Sequence, residues 1–289
     1  MKRILLSVAL AASSLAPLAC DLEKTGNQLT ADTVMVGTLF ATPQVDVSAS
    51  ALAGYDAGTF GGADGGADVI SLPAQTAAAV FLGTRNGENA QPSGLAGASV
   101  SVQPVDGQAT ALEEDGAGSY SRTSVGEAEL KYVSGATYQF TASRSGTRFV
   151  GQVDNAPVQE RISVFHPPEG FLRIAANTAL AFDRAAVPEG QDRTLGFVTV
   201  VPLSASGAQG EPTYTNVPKT PLAFLQLVGL PGPYREARVS IPGSAFPQRD
   251  QTYMVIFQAV RLGGAESDNL FLGSALLAGT ADVGVVRTN

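Results

Sequence analysis

The chain has one histidine, His166, in Val164-Phe-His-Pro-Pro168, where two prolines force an extended or turning backbone. An imidazole there could serve as a general base near neutral pH. No Gly-x-Ser-x-Gly elbow supplies a marked nucleophile, so a hydrolase built on His166 would have to recruit an unmarked serine. With no second histidine and a single cysteine, Cys20, the residue cannot head a zinc site of the usual His and Cys type. Paired carboxylates could run glycoside hydrolysis, and Glu113-Glu114-Asp115 and Glu127 with Glu129 are the available pairs. The first is followed at once by Gly-Ala-Gly and reads as a charged hairpin tip; the second reads as two glutamates on one solvated strand face. Oxygen ligands suited to calcium occur as Asp56, Asp64 and Asp68 in a glycine-rich stretch, and they are the chain's metal candidates. Tyr55, Phe60, Tyr120, Tyr132 and Tyr234 are candidate platforms for sugar stacking in a protein without tryptophan. No phosphate loop and no dinucleotide fingerprint is present, so no cofactor is expected.

The elements that would position these residues are short strands. Thr33 to Phe40 and Gln44 to Ser50 open the series, and Gly54 to Asp68 is too rich in glycine for regular structure and reads as a surface loop. Short apolar runs follow with turn residues between them: Ala77 to Leu82, Ala98 to Val102, Tyr120 to Thr123, Ala128 to Val133, Tyr138 to Ser143 and Arg148 to Val153. Within Ala98-Ser-Val-Ser-Val102 and Tyr138-Gln-Phe-Thr-Ala142 apolar and polar residues alternate strictly, which predicts one buried and one wet face. Beyond the turn-rich Asn155-Ala-Pro157 a strand over Arg161 to Phe165 is expected. The further expected strands are Ala179 to Asp183, Gly196 to Val201, Ala223 to Val228, Ala237 to Ile241, Thr252 to Val260, Asn269 to Leu277 and Val283 to Arg287. Phe171 to Leu180 fits a helix and a buried strand equally.

Gly97-Ala-Ser-Val-Ser-Val102, Asp115-Gly-Ala-Gly-Ser-Tyr120 and Gly135-Ala-Thr-Tyr-Gln-Phe140 resemble the strand and turn landmarks of bacterial immunoglobulin-like and carboxypeptidase-regulatory-like sandwich modules. The expected fold class is therefore all-β. Two β-sandwich domains are expected, over residues 32–158, with the glycine- and aspartate-rich loop 54–68, and over residues 159–289.

Met1-Lys-Arg3, the apolar run Ile4 to Ala12 and the small residues before Cys20 have the order of a secretory signal peptide over residues 1–19. Leu18-Ala19-Cys20 resembles the lipobox of bacterial lipoproteins, with Pro17 in place of the usual leucine. The resemblance implies that Cys20 is lipidated and anchors the mature chain to a membrane. Residues 20–31 are polar and aperiodic and read as the lipidated N-terminus with a flexible tether. Loss of Lys2 and Arg3 with the leader leaves 16 basic residues against 26 acidic ones and moves the formal charge from −8 to −10, which excludes an electrostatic nucleic-acid binder. The expectation is a membrane-anchored lipoprotein of the bacterial cell envelope, non-enzymatic, acting as a structural or interaction module on an envelope protein partner. A calcium- or glycan-binding surface module and a hydrolase around His166 are the alternatives.

Overall fold

The computed structural model describes residues 23–52, 69–87, 89–126, 129–187, 189–190, 192–229 and 232–289. The segment expected to be a signal peptide, Cys20, the loop with Asp56, Asp64 and Asp68, and Glu127 lie outside the described residues. The first described element is helix α1, residues 23–30. In the first half the strands are β1 (Thr33–Thr42), β2 (Val45–Ser48), β3 (Val69–Leu72), β4 (Gln75–Thr84), β5 (Ser93–Gly94), β6 (Ser99–Pro104), β7 (Thr110–Gly116), β8 (Ser119–Val125), β9 (Tyr138–Arg144) and β10 (Thr147–Val153). The second half has β11 (Leu172–Ile174), β12 (Leu180–Asp183), β13 (Leu195–Leu203), β14 (Tyr214–Thr215), helix α2 (Pro221–Gly229), β15 (Arg238–Ile241), β16 (Thr252–Ala265) and β17 (Ala275–Thr288). The protein is mostly β, as its short alternating runs predict.

Hydrogen-bonded neighbours form a closed circuit, β17-β1-β4-β8-β7-β6-β9-β10-β16 and back to β17. A sheet closed on itself leaves no edge along the circuit and encloses a core. Inside lie Met35, Leu39, Val80, Leu82, Val100, Val102, Tyr120, Tyr138, Phe140 and Leu276, all buried. The first and last strands, β1 and β17, pair in parallel, and the far join is short, Gly151 and Gln152 of β10 opposite Ala265 and Gly264 of β16. A Cβ on Gly263 would lie 1.9 Å from the Gln152 carbonyl oxygen, so only glycine allows the two strands this approach.

The strands β16 and β17 form a hairpin paired over Thr252 to Gly263 that runs on past the circuit into a second layer, where β13 and β14 extend it beyond β16 and β11 beyond β17. Residues on alternate sides of a strand face different partners. On one face of β17, Leu276 and Ala278 belong to the first core and Val286 to a second, made with Phe165, Phe182, Val198, Ile241, Phe246, Tyr253, Val255 and Phe257. On the other, Val283 and Val285 pack with Met254, Val47 and Leu52 beneath the small β2–β3 sheet, and Leu277 packs with Phe197, Val260 and Leu227 of α2. Strands from both sides of residue 158 thus share one sheet, although the apolar cores themselves sort largely by half.

Several segments differ from their expected form. The flexible tether expected over 20–31 is helical over 23–30, because Gln28 is buried and its amide donates to the carbonyls of Ala265 (3.3 Å) and Ser267 (3.2 Å). Ala223 to Val228 is helix α2, not a strand. Pro221 opens it and the Thr220 hydroxyl accepts from the Ala223 amide at 3.2 Å, a capping pattern that a short apolar run conceals. Residues 129–133 form no strand, since the Tyr138 hydroxyl accepts from the Val133 amide at 2.6 Å and donates to the Lys131 carbonyl at 3.1 Å in place of a ladder. Arg161 to Phe165 holds a 3-10 turn over Ser163–Phe165 ahead of the two prolines. The strand expected over Asn269 to Leu277 begins only at Ala275, and Phe171 to Leu180 resolves into β11 and the start of β12. Glu113 to Asp115 lie within β7, separated by Gly116 from the Ala117-Gly118 turn.

Burial pushes the phenols of Tyr132, Tyr138, Tyr214 and Tyr253 above their ordinary value of 10.0. A native phenol whose pKa exceeds that of the unfolded chain contributes stability below about pH 10 and loses it as pH rises further. Stability against urea should therefore fall above about pH 10, with phenolate absorbance appearing in step with unfolding. Full ionisation of the native protein near the ordinary value would contradict this.

Candidate functional site

The one carboxylate buried among the described residues, Asp282, lies where the two halves meet. Along one face of β17, Ala278, Thr280, Asp282 and Gly284 succeed one another, and the polar pair sits between the two cores. The side chain of Asp282 is 2% exposed. A buried carboxylate must be matched by donors, and the chain crossing over it supplies them. The Ile162 amide donates to Oδ2 at 2.6 Å, Gln159 Nε2 donates to Oδ1 at 3.3 Å, and His166 Nε2 lies 3.0 Å from both oxygens. Gly284 makes room for the same segment, since a Cβ there would stand 2.6 Å from the Phe165 ring.

His166 is 31% exposed and lines a cleft of about 390 Å³ with Gln44, Asp46, Gln159, Arg161 and Asp282. Hydrogen bonds from Ser71 (2.6 Å) and Gln44 (3.1 Å) hold Asp46 below the ordinary carboxylate range, so it is an anion and not a proton donor at neutral pH. An aspartate that orients an imidazole is two-thirds of a hydrolytic triad. Among the described residues no serine, threonine or cysteine lines this cleft.

A second buried charge fixes the same crossing. Arg184, with a fully buried side chain, forms a two-pronged pair with Glu160 (Nε to Oε1 3.2 Å, Nη2 to Oε2 2.8 Å) and donates further to Thr194 and to the Tyr234 carbonyl. Glu160 also accepts from the Ala185 amide at 3.0 Å, and the guanidinium lies 5.1 Å from the centre of the Phe257 ring. Residues 159–166 are thus riveted to both β17 and the β12 end by the hydrogen bonds of Asp282 and Arg184.

The remaining candidates are placed as follows. Glu113 pairs with half-buried Arg122 at 3.5 Å, Glu129 pairs with the same guanidinium, and Glu114 accepts from the Gly97 amide at 3.1 Å, so these acids are surface partners. Tyr120 is not an exposed platform: it is buried, and its hydroxyl donates to the Leu95 carbonyl at 3.0 Å. Tyr132 stacks on Tyr138 and donates to the Pro157 carbonyl at 2.8 Å, and Tyr234 packs edge-on against Phe197. Tyr55 and Phe60 lie outside the described residues, as do the calcium candidates. Among the described residues no group of three His, Cys, Asp or Glu side chains could hold a metal ion, and no helix is long and apolar enough to cross a membrane.

Sequence reasoning missed Asp282, Glu160 and Arg184. For Asp282 a signal exists, a single carboxylate within the otherwise acid-free run Ala275 to Thr288. No protein-family model and no curated protein matches the chain.

Proposed function

We propose that the chain is a lipid-anchored cell-envelope protein that acts without catalysis, as a spacer and interaction module. It would be tethered through Cys20 and built of two lobes, most of each core coming from residues 32–158 and 159–289, that share the strands β16 and β17. The observation that supports this best is the β16–β17 hairpin, whose side chains enter both cores and make one stiff body of them. A stiff body with a pinned junction suits holding a surface at a fixed distance, which is a use of architecture and not of chemistry. The His166–Asp282 pair supports a hydrolase as the second reading.

Intact mass and membrane fractionation of the native protein beside Cys20→Ser test the anchor. The wild type should carry acyl mass and sediment with membrane, and the variant should lose both. Soluble wild-type protein cleaved elsewhere would overturn the reading.

A further inference from the structure

We propose that the end of the body formed by α1 and the 266–274 connection lies directly against the lipid surface, with the β16–β17 hairpin standing away from it. The inference rests on lipidation of Cys20 and adds an orientation to it. Only three residue steps separate Cys20 from Glu23, the first residue of α1, and at ~3.6 Å per step that stretch of chain can span at most about 11 Å. That helix is not free to swing. Gln28 is fastened to Ala265 and Ser267, its carbonyl accepts from the Leu272 amide at 3.0 Å, and Lys24 meets Glu266 at 3.1 Å.

The fastening point is one end of the longest element in the fold. β16 finishes at Ala265 and β17 starts at Ala275, so the hairpin's other end, Thr252 and Thr288, stands roughly 45 Å away at ~3.3 Å per residue. At the α1 end two of the few exposed large apolar side chains lie close together in the chain's bonding, Leu29 at 54% and Leu272 at 39% exposure, beside the Gln28–Leu272 hydrogen bond. An acidic chain has no charge attraction to anionic head groups, so contact there would rest on the acyl anchor and these apolar side chains. The opposite end carries the Ser204 to Ala208 turn and the Arg249-Asp250 turn, which this orientation presents furthest from the bilayer.

Because an acylated Cys20 has no free thiol, a cysteine introduced elsewhere is the only labelling site in the mature lipoprotein. Full-length protein would be labelled with an environment-sensitive fluorophore at Leu272→Cys, at Leu29→Cys as a second near site, and at Ala205→Cys as the far site. Each would then be reconstituted into phosphatidylethanolamine and phosphatidylglycerol vesicles with and without brominated lipid. Loss of fluorescence to brominated lipid at 272 and 29, with none at 205, is the expected result. Quenching at all three sites or at none, in protein that floats with the vesicles, overturns the orientation and leaves the anchor intact. Protein that fails to float overturns the anchor itself.

Discussion

Arg184→Ala should lower stability by about 3–5 kcal/mol, read as a shifted urea midpoint at unchanged slope. The guanidinium is wholly buried, and its removal leaves Glu160, 12% exposed, accepting only from the Ala185 amide among the described residues. The Thr194 and Tyr234 carbonyls lose donors at the same time, and a void opens beside Phe257. Arg184→Lys should recover only part of this, because an ammonium cannot serve both Glu160 oxygens and the two carbonyls from one plane. The pair Arg238–Asp183 is the internal control. Its distance is 2.9 Å, but the side chains are 65% and 73% exposed, and Arg238→Ala should change stability by no more than about 1 kcal/mol. Removing both buried partners together, Arg184→Met with Glu160→Leu, should cost less than the sum of the singles, since no unpaired charge is left behind. Equal effects of Arg184→Ala and Arg238→Ala would mean that the crossing segment is not held by this pair.

The contrast explains which parts of the molecule are legible in its sequence. The strands β4, β6, β9 and β10 alternate in burial because one face meets the first core and the other meets water, and alternation is the pattern that a sequence displays. β17 is buried on nearly every residue, so its apolar residues do not alternate. Gly279, Asp282 and Gly284 then look like breaks in a strand, although each is there for a neighbour: the β16 backbone, the Ile162 amide and the Phe165 ring. Reading the run as two short strands with a turn between them removes an element that joins the halves. Likewise, nothing local tells Ala223 to Val228 from a buried strand; the cap at Thr220 lies outside the apolar run. For the site, His166 is visible as the only histidine, but its partner is 116 residues away and is set by how residues 159–166 cross the hairpin. Pairings of that separation belong to topology, and a single sequence carries no trace of them beyond the oddity of one acid in an apolar run.

Asp282→Ala should cost about 3 kcal/mol or more, and its comparison with His166→Ala separates a structural rivet from a catalytic pair. Truncation leaves the Ile162 amide, in a residue 1% exposed, without its acceptor, and frees Gln159 and His166 together. Asp282→Asn keeps the shape but turns an NH2 toward one of these donors, so it should restore only part of the loss. His166, being 31% exposed, can find water when its partner is lost, and His166→Ala should cost no more than about 1 kcal/mol. If Asp282 serves to bind residues 159–166 to β17, the aspartate variants lose stability, the histidine variant keeps it, and none of the proteins cleaves an activated ester above the uncatalysed rate. If the pair serves hydrolysis, the wild type cleaves such an ester, and His166→Ala abolishes cleavage while its urea midpoint stays in place. The two readings thus differ in which variant fails and in what the failure is, and the exposed histidine decides between them because it can be removed without unfolding its surroundings.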